Sequence, residues 1–226
     1  MSRNPIPSKI DCWLATDLRN KAVADMIPGA IIGYAKCDDI GVWRELCLML
    51  ATGCRPGVAL AFVPGDQWLD DVIDLQPVGK KLEDKRNAIV PTIEPMKPIL
   101  KAWQANPHHR VAGRKTWGST AHRTLRLRDD IVAYDIRHTV TTYMDDQRVP
   151  GAQMSGIVGH LPSDRGIAKT TKTYYLHYNP HNARQAKRVL TKLFDAVSKE
   201  ADRWIADHSL TNGQRGCPKQ ALKISE

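Results

Sequence analysis

The chain has 226 residues, 42% hydrophobic and 25% charged, with a formal net charge of +9. This is the balance of a globular chain able to bury one sizeable core. No apolar run approaches the roughly 20 residues that span a bilayer, and the opening MSRNPIPSK lacks the apolar core of a signal peptide. Membrane-spanning and secreted classes are therefore excluded at this level, and a cytoplasmic or nucleoid-associated protein is expected.

Five scattered cysteines (Cys12, Cys37, Cys47, Cys54, Cys217) form no C-x-x-C pair, which points to free, mostly buried thiols rather than disulfides or zinc. None of the eight histidines falls in a metal-ligand spacing, so no metal and no cofactor is expected. Between Lys80 and Arg128 stand twelve Lys or Arg against Glu83, Asp84 and Glu94. Such a local excess suits a polyanionic partner, nucleic acid before membrane.

In chain order, residues 1–39 hold a short helical spacing at Ile10, Trp13, Leu14 and Leu18, interrupted by Pro28-Gly29. From Ile40 to Ala51 a stripe of Trp43, Leu46, Cys47, Leu50 and Ala51 predicts a helix that Gly53 ends. Thr52-Gly53-Cys54-Arg55-Pro56-Gly57 follows, placing Arg55 just past that end, where its planar fork can hold two nonbridging oxygens of a phosphodiester. A surface arginine in a Pro-Gly turn would read the same way locally. Asp71–Gln76 and Asn87–Thr92 predict two short strands around the charged turn Gly79–Arg86. Glu94–Asn106 predicts a helix bearing Met96, Leu100 and Trp103, stopped by Pro107. The basic stretch with His108, His109, Arg110, Arg114 and Lys115 is expected either to lean on a nucleic-acid backbone or to be a solvated loop.

Ile131–Asp146 predicts a helix with Ala133, Ile136, Val140, Tyr143 and Met144 toward the core. Tyr134 and Arg137, three apart, share a face, and His138, turned by about 100°, is expected to be buried and hydrogen-bonded. Ala152–Gly159 predicts a short helix that delivers His160, and the polar stretch Ser163–Thr173 is expected to be a mobile linker. The tandem Tyr174-Tyr175 stands fifteen residues beyond His160 and is continued by Leu176-His177-Tyr178-Asn179-Pro180. His181–Ser209 predicts a closing helix with Ala186, Val189, Leu190, Leu193, Phe194, Val197, Ala201, Trp204 and Ile205 on one face, and residues 210–226 a disordered tail.

Four of these motifs, T-G-C-R-P-G, the R-H pair at Arg137-His138, Gly159-His160 and Tyr175-Leu176-His177, occur in an order that resembles the catalytic domain of the tyrosine recombinases, the phage-integrase family. The resemblance spans Arg55 to Pro180 and implies an α+β fold, mainly helical, with a small antiparallel sheet. It implies a catalytic domain over 40–209, and a segment 1–39 too short for the family's separate core-binding domain. By resemblance Tyr175, with Tyr174 as the alternative, attacks a scissile phosphate to give a 3′-phosphotyrosyl link and a free 5′-hydroxyl. Arg55, Arg137 and His160 then hold the charge, and Lys85, near Val90-Pro91, protonates the leaving oxygen, with Lys81 as runner-up. Two departures stand out. Val58 replaces the usual acid, and Tyr134 replaces the usual histidine, leaving a hydroxyl that can contact phosphate but does not titrate near neutrality.

The implied activity is site-specific DNA strand transfer, independent of metal and ATP, on double-stranded DNA. It would proceed through self-association as a tetramer, with an accessory DNA-bending or directionality factor. A DNA-binding remnant without strand transfer and a type IB topoisomerase are the competing readings.

Overall fold

The computed structural model describes residues 29, 31–33, 35–36, 39–77, 79, 87–116, 133–159 and 178–211, with backbone alone at 207–211. Lys80, Lys81, Lys85, His160, the Ser163–Thr173 linker, Tyr174 and Tyr175 lie outside the described residues, as do residues 1–28 and 212–226. The described part is mostly helical with one small sheet: α1 (Ile40–Thr52), α2 (Pro56–Ala61), α3 (Pro64–Gln67), β1 (Trp68–Leu69), β2 (Val72–Asp74), β3 (Ile89–Pro91), α4 (Met96–Trp103), α5 (Ala133–Asp146), α6 (Gly151–Val158) and α7 (Arg184–Thr211).

Helix α1 is the centre. Asp39 caps it by accepting from the N–H groups of Gly41 (2.9 Å) and Val42 (3.2 Å). Gly53 stops it in the left-handed region (φ 64°), its N–H donating to Met49 O at 2.7 Å. The expected one-sided stripe is an understatement, because Leu48, Met49, Glu45 and Thr52 are buried as well. Packing of α2, α5 and α7 around the helix leaves it almost no solvent side. Trp43 meets Trp103 of α4 edge-on, ring centroids 6.5 Å apart.

The expected hairpin is present as β2 and β3, antiparallel with Val72 opposite Pro91, Ile73 opposite Val90 and Asp74 opposite Ile89. A third strand, β1, pairs Trp68 with Ile73 and Leu69 with Val72. Two residues are too few to show an alternation in sequence. Buried Gln67 ties this corner together: its Oε1 accepts from Val63 N at 2.8 Å, and its Nε2 donates to Asp74 O (2.8 Å) and Gln76 O (3.1 Å).

Helix α4 is shorter than the expected Glu94–Asn106, with Pro95 at its N-cap and turns after Trp103, although Met96, Leu100 and Trp103 are buried as expected. In the basic stretch after it His108, His109, Arg110 and Lys115 are exposed, while its middle packs inward. Val111 and Ala112 are buried, Val111 N donates to Phe62 O, and Arg114 turns inward to pair with Asp39 and, at 3.6 Å, with Glu45. Arg114 is therefore spent on the protein's own carboxylates. On α5, Ile136, Val140 and Met144 are buried, but His138 is exposed, against expectation, and lies edge-on to Tyr134 with centroids 5.0 Å apart. Arg137 takes the inward position in its stead.

The closing helix starts later than expected. Asn179 caps a 3-10 turn, Pro180–Asn182, and α7 begins at Arg184. Its apolar stripe from Ala186 to Ala201 is buried against α1, α5 and α6, so that face covers its own core, and Trp204 and Ile205 are half-buried. The described residues between 29 and 36 are helical and send Ile31, Ile32 and Ala35 into the same core. Gly29 and Gly33 permit this approach, since a Cβ at Gly29 would stand 2.4 Å from Glu200 Cβ. Among the described residues no helix is long and apolar enough to cross a membrane.

Candidate functional site

The site grows from three chain breaks that meet at one place. The first is the α1–α2 junction. Thr52 Oγ1 donates to Leu48 O (2.6 Å) and accepts from Cys54 N (3.2 Å), which closes the turn begun by Gly53. Arg55 is then the N-cap of α2, extended at φ −73°, ψ 150°, with Pro56 opening the helix. Its side chain is half-buried, and its Nη1 donates weakly to Asn87 Oδ1 at 3.4 Å. Asn87 is fixed in turn by Gln76 Oε1, 3.2 Å from its Nδ2, so Arg55 rests on the base of the β2–β3 hairpin.

The second break is the end of α6. Gly159 adopts φ 69°, a left-handed conformation open to glycine at little cost, and the chain continues to His160. The third is Tyr178, whose ring lies flat against α6 at Gly156. A Cβ there would come within 2.0 Å of the ring, so only glycine admits the contact. Burial pushes the Tyr178 phenol above its ordinary pKa, and its hydroxyl makes no hydrogen bond among the described residues.

Arg137 of α5 links two of these breaks. Its Nη1 donates to Gly53 O and its Nη2 to Val158 O, both at 2.7 Å, and the residue is only 5% exposed. One guanidinium thus crosses from the C-terminal end of α1 to that of α6, where the helix macrodipoles favour a cation. Burial first, and the neighbouring Arg55 charge second, push its pKa below the ordinary arginine value. The Tyr134 and Cys54 side chains and a hydrogen bond to Tyr134 act in the other direction.

Arg55 and Arg137, 82 positions apart in sequence, are thus close enough to repel each other, with Tyr134, 41% exposed, beside them. Val58, three residues after Arg55, is buried in the core. Cys54 between them is no nucleophile, because burial pushes its thiol up to about 11. Arg55, Arg137 and Tyr134 are brought together, whereas Lys85, His160 and Tyr175 lie outside the described residues. Sequence reasoning missed Asn87 and Gln76 as supports of Arg55, since a lone amide at a strand end carries no signal. It also missed the Tyr178 seat, for which a glycine in mid-helix was the available sign. Compared with known proteins, the chain matches no family model, no curated protein and no solved structure.

Proposed function

We propose that the protein is a DNA strand transferase of the tyrosine-recombinase type, with a catalytic domain of that fold. The observation that carries this reading is the convergence of two guanidinium groups, Arg55 and Arg137, at the α1–α2 junction, a pairing whose mutual repulsion a bound phosphodiester would relieve. In the proposed step a Tyr175 oxygen attacks phosphorus and the bond to the 5′-oxygen breaks. Lys85 supplies the proton to that leaving oxygen, and the phenol's own proton passes to solvent. Arg55, Arg137 and His160 hold the charge that builds on the phosphoryl oxygens, with Tyr134 as a further donor. The bond energy is kept in the 3′-phosphotyrosyl link, so a second 5′-hydroxyl can reverse the step without ATP.

A second reading, a DNA-binding remnant without strand transfer, is favoured by the structural use of Arg137, whose two terminal nitrogens already hold carbonyl groups. Incubation with a pool of nicked suicide duplexes of random sequence, followed by denaturing electrophoresis, separates the two. Strand transfer requires a covalent protein–DNA adduct that Tyr175→Phe abolishes and Tyr174→Phe retains. No adduct from the wild-type chain, or an adduct that survives Tyr175→Phe, overturns the assignment.

A further inference from the structure

We propose that the exposed cations Arg184, Arg188 and Lys192 of α7, with Arg148 beside them, form a second docking face for the phosphate backbone of double-stranded DNA. Residues four apart on a helix are offset by only about 40°, so the three make one continuous stripe. All three are exposed, as is Arg148, and none of the four has an ion-pair partner among the described residues. Other cations of the same region are paired: Lys187 with Glu94 at 2.8 Å, Lys36 with Asp202 at 3.3 Å, and Arg203 with Glu200 at 2.9 Å.

The stripe runs against local helix preference. Like charges four residues apart destabilise a helix, and cations in a first turn oppose the macrodipole. Yet the first turn of α7 contains no acid, and none follows until Asp195. The opposite face of the same helix is locked into the core through Ala186, Val189, Leu190 and Leu193, which makes the stripe rigid. Arg148 is held beside its start: Gln185 Nε2 donates to Arg148 O at 3.0 Å, and Arg148 adopts a left-handed φ of 56°.

The partner is a polyanion rather than an apolar surface. Among the described residues the exposed large hydrophobics, Ile40, Leu69, Ile89 and Tyr134, are all off α7, so none of them lies on the stripe's helix to insert into a lipid layer. Arg148 stands eleven positions after Arg137 along α5 and its following turn, roughly 16 Å at helical rise. That distance is within one turn of a duplex. The choice of DNA among polyanions rests on the strand-transfer reading.

The test is equilibrium binding of a fluorescent 20-base-pair duplex of arbitrary sequence across a salt series. It compares wild type, the triple variant Arg184→Ala/Arg188→Ala/Lys192→Ala, and the control Lys199→Ala/Arg203→Ala. The triple variant is expected to lose about tenfold in affinity and to flatten the salt slope by about 2 to 3, while its thermal midpoint stays level or rises. The control is expected to keep the wild-type slope. No duplex binding by wild type, an unchanged slope in the triple variant, or an equal loss in the control overturns the inference. Equal wild-type binding to phosphatidylserine vesicles, lost in parallel, overturns the assignment to DNA. A protein that binds through this face but forms no suicide adduct keeps the inference and loses strand transfer, and the converse result does the opposite.

Discussion

Arg137 holds two helix ends together and, under the strand-transfer reading, would also hold phosphate, roles that an activity assay alone would merge. Its guanidinium satisfies Gly53 O and Val158 O, and a shorter side chain leaves both carbonyls buried without a donor. Arg137→Ala is therefore expected to cost about 2 to 4 kcal/mol in urea unfolding, and Arg137→Lys a good part of it, because a point charge cannot reproduce the fork. Arg55, half-buried at the N-cap of α2 with a long hydrogen bond to Asn87, is expected to cost less than Arg137 as Arg55→Ala, since it satisfies no buried carbonyl pair between helices. Equal losses for the two alanine variants would mean that Arg137 is not a rivet between α1 and α6. The contrast also decides how activity is read: a defect in Arg55→Ala reports chemistry or binding, whereas one in Arg137→Ala includes the fold.

Helix ends were the most legible part of this chain, because Gly53 and Gly159 each announce a left-handed stop and each stands just before a candidate site residue. Apolar spacing located α1, α4, α5 and α7, and β-branched runs located the β2–β3 hairpin. The burial of α1 on all sides was not legible, since it depends on three other helices closing round it, nor was the exposure of His138, which follows from Arg137 taking the inward position. Contacts between distant elements were hidden for the same reason, and Gly156 on α6 is the clearest case. Gly156→Ala puts a methyl group into the Tyr178 ring and is expected to lose about 1 to 3 kcal/mol by overpacking. Gly151→Ala, on the same helix with open space at its Cβ, is expected to be neutral or to gain a few tenths of a kcal/mol. Thermal melts of the two, with Tyr178→Ala added to Gly156→Ala, test the contact. If removing the ring does not recover most of the Gly156→Ala loss, the seat is not what the glycine serves.

At the scale of the whole molecule, stability should depend on pH through one buried carboxyl. Glu45 lies in the middle of α1, 0% exposed, and neither oxygen has a hydrogen-bond partner among the described residues. Burial pushes its pKa up to about 8, with Arg114, 3.6 Å away, acting downward and Asp39 acting upward. Arg44, the neighbouring cation, has its pKa lowered by burial, and its Nε has no partner among the described residues. The folded chain therefore keeps a proton that the unfolded chain releases near the ordinary glutamate pKa of ~4.3. The unfolded state binds fewer protons between these limits, so unfolding free energy falls as pH rises from about 4.3 toward 8 and levels off above. Asp71 and Glu94 pull the other way, since hydrogen bonds from Lys97 and Lys187 hold them below the usual carboxylate range, but both titrate on the acid side of this window. Urea midpoints measured from pH 5 to pH 8 should drop in wild type by the equivalent of a few kcal/mol and stay nearly flat in Glu45→Gln, which keeps the shape without the charge. Parallel slopes in the two proteins would show that the proton is not held at Glu45, and that Arg114 neutralises an ionised carboxylate in the core.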